Sequence, residues 1–216
     1  MEPAPRRTIV KVCGIARPED ARAALAAGAD WLGFVLWDGS PRGVTPEQMR
    51  AMVEPLEPTV AVAVMVSPTP GQALDAARRG GATRVQLHRV DPATWPADFP
   101  LPVAFAVPVA QDGSLGAPLP ALGHLVMLDT AHPRLVGGTG ERFPWETARV
   151  VAATRDVLLS GGLDAESVAA TLERVQPFGV DASSRLEKSP GIKDADKMRR
   201  FVAAVREWDQ RHVGRE

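Results

Sequence analysis

A single (β/α)8 barrel is the fold class this sequence predicts, and three observations predict it. Short continuous apolar runs alternate with helix-like segments along the chain, so that eight strand-and-helix units fit into 216 residues. Such runs suit parallel strands that are buried rather than half-exposed. The polar groups Cys13, His88, Asp129, Ser160 and Ser183 fall at or just beyond the C-terminal ends of different strands. A barrel brings those ends to one mouth, whereas the rival, an open doubly wound sheet, gathers them mainly at a switch point. No linker or shift in composition marks a second domain, so 8–216 reads as the barrel and 1–7 as a flexible N-terminal extension.

Ile9 to Cys13 is the first strand, and Gly14 frees the backbone to leave it sharply. The helix from Pro18 to Ala27 has Pro and two acids in its first turn and Gly28 as its stop. Trp31 to Leu36 precedes a helix from about Thr45, an N-cap, to Glu54. Val60 to Val66 precedes another from about Thr69 to Arg79, ended by Gly80 and Gly81. Arg84 to Leu87 is the fourth strand and Pro102 to Val107 the fifth. The prolines between Val90 and Pro100 allow a poor helix at best, and Gly113, Gly116, Pro118 and Pro120 predict a poor or missing helix after the fifth strand. His124 to Leu128, Val157 to Ser160 and Gly179 to Ala182 complete the set. Their helices run from about Trp145 to Ala153, Asp164 to Val175 and Asp194 to Asp209.

Composition narrows the function. With 45% hydrophobic and 24% charged residues the chain can bury a full core. A formal net charge of -1 gives no general attraction to nucleic acid or to an anionic membrane, so the expected partner is a small molecule. One cysteine makes no internal disulfide, no apolar signal core opens the sequence, and no run reaches the ~18 residues of a membrane span. The cytoplasm is the expected location.

Cys13 and Asp129 are the candidate proton carriers. A buried inert thiol and a loop acid or helix cap are the plainer readings of the two. Lys11 stands two residues before Cys13, so on a regular strand both side chains share a side, and the ammonium would favour thiolate. The glycine-rich stretch Gly137-Gly138-Thr139-Gly140 suggests a phosphate cradle, with plain turn chemistry as the alternative. His124, His132 and His212 show no ligand spacing with one another or with the cysteine, so neither metal nor cofactor is expected.

Seven pieces stand in a specific order: Lys11-Val12-Cys13-Gly14-Ile15, Ser40-Pro41-Arg42, Val85-Gln86-Leu87-His88, Leu128-Asp129-Thr130, Gly137-Gly138-Thr139-Gly140, Ser160-Gly161-Gly162-Leu163 and Gly179-Val180-Asp181-Ala182-Ser183-Ser184. In this the chain resembles the phosphoribosylanthranilate isomerases, from Lys11 to about Asp194. The resemblance implies an Amadori rearrangement of N-(5'-phosphoribosyl)anthranilate to 1-(2-carboxyphenylamino)-1-deoxyribulose 5-phosphate, a step of tryptophan biosynthesis, acting as a monomer or homodimer. It implies Cys13 as base, Asp129 as acid and Arg42 as the fork for the anthranilate carboxylate. The phosphate would lie against Gly161, Gly162, Asp181, Ser183 and Ser184, with Gly138, Thr139 and Gly140 closing over the substrate. His88 matches the family's mouth histidine or is a satisfied rim histidine. Trp37 and Phe34 offer apolar surface to the ring, and core packing explains Phe34 equally well.

Some positions depart from the family pattern. Gly43 replaces an aromatic residue, Glu141 and Gly39 replace lysines, and Arg185 replaces a glycine. Other phosphate-binding barrels, such as a ribulose-phosphate epimerase or the histidine-pathway isomerase, would rely on metal ligands or paired aspartates, and Cys13 with Asp129 argues against them. A non-catalytic relative would have no need of Cys13, Asp129 and Arg42 together.

Overall fold

The computed structural model describes residues 6–56, 59–130 and 144–212. Among these, eight parallel strands close into a barrel in chain order. They are β1 (Ile9–Cys13), β2 (Trp31–Val35), β3 (Val60–Val66), β4 (Arg84–His88), β5 (Val103–Val109), β6 (Leu125–Thr130), β7 (Val157–Leu159) and β8 (Gly179–Ala182). Closure comes from β1, which pairs Lys11 with Trp31 of β2 on one side and with Asp181 of β8 on the other.

The helices are α1 (Pro18–Ala26), α2 (Pro46–Val53), α3 (Pro70–Gly80), α4 (Trp145–Ala152), α5 (Val168–Val175) and α6 (Ala195–His212). Both threonine caps form. Thr45 and Thr69 accept from the N–H groups of Gln48 and Gln72, whose side chains return the bond to the cap N–H. Proline occupies the first helical position of each. Gly81 closes α3 in the left-handed region at φ 72°.

Several boundaries move, for local reasons. The helix after the seventh strand, expected from Asp164, begins only at Val168, because Asp164 Oδ1 first accepts from the Ser167 N–H and hydroxyl in a separate turn. The sixth strand runs on to Thr130, since Asp129 and Thr130 continue the ladder opposite Pro108 and Val109. After β4 a short 3-10 turn, Pro92–Thr94, is capped by Asp91. Among the described residues no helix follows β5, as its glycines and prolines predict; the chain turns back on itself with Leu115 bridged to Val109. Arg6 and Arg7 pair with Asp156 and Asp30. An antiparallel hairpin, β9 (Glu187–Ser189) and β10 (Ile192–Lys193), stands between β8 and α6, in a stretch to which the sequence assigns no element.

Two apolar layers result. One fills the space between strands and helices and includes Val10, Val12, Leu32, Phe34 and Leu87. The other lies inside the barrel, with Trp31, Val62, Val64, Ala104, Met127 and Leu158 beneath Cys13. Phe34 belongs to the outer layer and is fully buried there, so of its two readings the structure supports core packing.

Candidate active site

Cys13 ends β1 and is 7% exposed at the barrel mouth. Its neighbour across the ladder is Gly33, where a Cβ would stand 2.8 Å from the Cys13 sulfur and 3.0 Å from Lys11 Cε. The bare backbone of β2 therefore makes the room for thiol and lysine alike. Lys11 is 0% exposed and donates through Nζ to Gln86 Oε1 at 2.9 Å and Asp181 Oδ1 at 3.1 Å. Burial disfavours its charge, but the Asp181 carboxylate, joined by Cys13 in its thiolate form, outweighs that and its pKa lies above the ordinary value.

For Cys13 the balance goes the other way. Burial pushes the thiol up, and although Lys11 pulls it toward thiolate, the outcome is a pKa above the ordinary value. The strand spacing thus locates the ammonium correctly, while desolvation wins and the resting group is the thiol.

Asp129 sits in β6, 7% exposed, with its Oδ1 accepting from the Thr130 N–H at 2.9 Å. Burial first, then the Asp181 charge, raise its pKa to about 7, against the opposing pull of the Thr130 N–H, Ser160 and Lys11. A carboxyl in this condition retains a proton close to neutral pH. Cys13 and Asp129 lie on non-adjacent strands, yet both feel the same Lys11 and Asp181 charges in the barrel interior.

His88 ends β4 and is buried, with Nε2 2.9 Å from Gln86 Nε2. Because Gln86 Oε1 is taken by Lys11, its amide nitrogen is the donor, and His88 is a neutral acceptor there. Burial and then Lys11 hold the imidazole down at about 4, so it titrates well below neutrality. Asp181, expected in the phosphate loop by the resemblance, turns its carboxylate inward to Lys11 and is 2% exposed, where it balances the lysine charge.

Arg42 lies over Gly14, where a Cβ would stand 2.5 Å from the arginine Cδ and 3.0 Å from Ser183 Oγ. Gly14 is also at φ 74°, so this position serves both the sharp exit from β1 and the passage of the arginine stem. The guanidinium donates from Nε and Nη2 to the two Glu187 oxygens, at 2.7 and 2.8 Å. Gly161 and Gly162 follow β7 at φ 103° and 64°, and Ser183 and Ser184 lead from β8 into a 3-10 turn that includes Arg185. Gly138, Thr139, Gly140 and Glu141 lie outside the described residues.

Two departures have a steric account. At Gly39 the Trp37 indole fills the space a Cβ would take, and at Gly43 a Cβ would stand 2.7 Å from the Trp37 carbonyl. Trp37 occupies the volume that larger side chains would need. Among the described residues no cluster of three His, Cys, Asp or Glu could hold a metal.

Gly33, Gln86, Glu187 and Lys193 are parts of this site that sequence reasoning did not single out. A glycine inside an apolar strand is the signal for Gly33, and Gln86 stands between two apolar residues in the Val85-Gln86-Leu87-His88 piece without a role of its own there.

A family model described as N-(5'-phosphoribosyl)anthranilate (PRA) isomerase matches residues 10–204 of the chain. The N-(5'-phosphoribosyl)anthranilate isomerase of Pelobacter propionicus is 38% identical over 199 residues, covering 92% of this chain and 95% of that one. The crystal structure of phosphoribosyl anthranilate isomerase from Thermotoga maritima aligns with a TM-score of 0.78 at 31% identity, covering 93% of this chain and 99% of that one. Another such structure, in complex with reduced 1-(o-carboxyphenylamino)-1-deoxyribulose 5-phosphate, aligns with a TM-score of 0.75 at 29% identity, with the same coverage.

Proposed function

The chain belongs to the phosphoribosylanthranilate isomerase family, and from that membership we propose that Asp129 is the acid and Cys13 the base of its reaction. The enzyme converts N-(5'-phosphoribosyl)anthranilate to 1-(2-carboxyphenylamino)-1-deoxyribulose 5-phosphate, an aldose-to-ketose isomerisation in tryptophan biosynthesis. Asp129 gives its proton to the furanose oxygen as the C1–O bond breaks, and the ring opens to an iminium. Cys13 then takes the C2 proton, and the electron pair of that C–H bond moves into the C1–C2 bond to form the enolamine, which tautomerises to the ketone. The observation that carries this assignment is the Asp129 carboxyl, raised to about 7 by burial and by the Asp181 charge.

The resting thiol fits the order of events. Positive charge appears on the substrate nitrogen only after the ring opens, and that charge favours thiolate at the moment a base is needed. The phosphate is assigned to the loops after β7 and β8, where Gly161, Gly162, Ser183 and Ser184 present backbone N–H groups and hydroxyls. Arg42 is assigned to the substrate carboxylate. We place the reaction in the cytoplasm because its base must stay a free thiol, which a reducing compartment preserves. The proposed acid, base and carboxylate anchor lie in one chain, so a monomer suffices for the chemistry. No helix of the described residues is long and apolar enough to cross a membrane.

Anthranilate fluorescence provides the test. Purified protein lowers the emission of freshly made phosphoribosylanthranilate, and Arg42→Ala raises KM by about tenfold or more with a smaller change in kcat, the mark of lost uniform binding. No loss of emission with the wild-type protein would overturn the reading.

A further inference from the structure

We propose that Glu187 is a positioning residue that aims the Arg42 guanidinium at the substrate carboxylate, with Lys193 holding Glu187 in place. This rests on the functional reading above and extends it to the hairpin between β8 and α6.

The geometry is a fixed frame around a mobile kind of side chain. Glu187 takes the Nε and Nη2 side of Arg42 in a two-bond fork at 2.7 and 2.8 Å. Its Oε1 also accepts from Lys193 Nζ at 2.8 Å, and its backbone carbonyl accepts from Lys197 Nζ at 2.8 Å. Lys193 is buried as well. Its Nζ reaches the Ser183 carbonyl at 3.1 Å, and its backbone N–H donates to Asp20, which Arg17 grips through two nitrogens. The hairpin turn presses on the loop that carries the arginine: a Cβ on Gly191 would stand 2.9 Å from the Pro41 carbonyl oxygen. Glu187 and Arg42 are thus held from both sides.

This arrangement has a directional consequence. With one edge of the planar guanidinium committed to Glu187, the remaining donors, on Nη1 and the outer side of Nη2, form the other edge, which can receive a second carboxylate in the same forked manner. A free arginine would lose rotamer freedom on binding; here that freedom is already removed. Charge is consistent too. Two cations surround one buried carboxylate, so the cluster keeps a positive excess for an anionic ligand despite the glutamate within it.

The test compares two substrates: phosphoribosylanthranilate and the phosphoribosyl derivative of aniline, which lacks the carboxylate. Glu187→Gln is expected to raise KM for the first by about tenfold with kcat within about twofold, and to leave the second unchanged. Arg42→Ala combined with Glu187→Gln is expected to be no worse than Arg42→Ala alone, since both substitutions remove one unit. Equal penalties on both substrates, or additive penalties in the double variant, would make Glu187 a structural brace and overturn the inference. If Glu187→Gln does not yield folded protein, Glu187→Asp carries the same comparison, with an intermediate rise in KM expected for the carboxylated substrate alone. Absence of turnover by the wild type sinks the underlying functional reading, whereas normal wild-type turnover with an unaffected Glu187 variant sinks only this one.

Discussion

Asp129→Asn lowers kcat/KM by about 10²–10⁴-fold, the range a positioned acid or base supplies, and Cys13→Ala does so by a similar factor. The shape of the pH profile distinguishes the two roles. In the wild-type enzyme the acid titrates at about 7 while burial holds the thiol above its ordinary value. The productive form, with proton on Asp129 and thiolate on Cys13, is therefore a minority arrangement. Below pH 7 the carboxyl keeps its proton and the thiolate fraction grows with pH, so kcat/KM climbs. Between about 7 and the thiol pKa, loss of acid cancels gain of base and the profile is flat. In Asp129→Asn no acid titrates, so the residual rate climbs through pH 7 without a break. A variant that kept the break would remove Asp129 from its assigned role.

Lys11→Met destabilises the fold by about 3–5 kcal/mol, because it strands the Asp181 carboxylate in the barrel without its partner. Burial already raises the Asp181 pKa and Lys11 opposes that rise, so the substitution moves it further up. A folded-state pKa above the unfolded one means stability that is present at low pH and lost as pH rises through the folded value. Urea unfolding should therefore show a larger loss at about pH 8 than at about pH 5. A loss independent of pH would mean that Asp181 is not the group left exposed to the change. The Cys13 thiol in the same variant titrates higher, since Lys11 pulls it toward thiolate, and the pH dependence of alkylation measures it. An unmoved thiol pKa would reduce Lys11 to a filler of the barrel floor.

The parts of the molecule legible in sequence are those with a local signature. Val60 to Val66 and Gly179 to Ala182 are found within their predicted limits, and the threonine caps at 45 and 69 announce their helices. Cys13 before Gly14, and the glycine pair after Ser160, mark strand exits by composition. The hairpin had no such mark. Strands as short as Glu187–Ser189 and Ile192–Lys193 carry no periodicity by which an element could be assigned. The Arg42–Glu187 pair joins positions 145 apart, and nothing in either local sequence points to the other. The thiol's ionisation is legible only in part, for a related reason: spacing along the strand locates the Lys11 pull toward thiolate, while the desolvation that outweighs it depends on everything packed around the group.

Because the barrel closes through β1 and β8, the strand made first waits for one made near the end. Lys11 and Asp181 are 170 positions apart, and at ~5–20 residues per second that separation corresponds to roughly ten to thirty seconds of synthesis. Throughout that interval the nascent strand has one unzipped margin, and the sulfur at its tip has no completed cavity around it. The proton acceptor of the proposed reaction is thus among the first parts of the chain to be made and among the last to be enclosed.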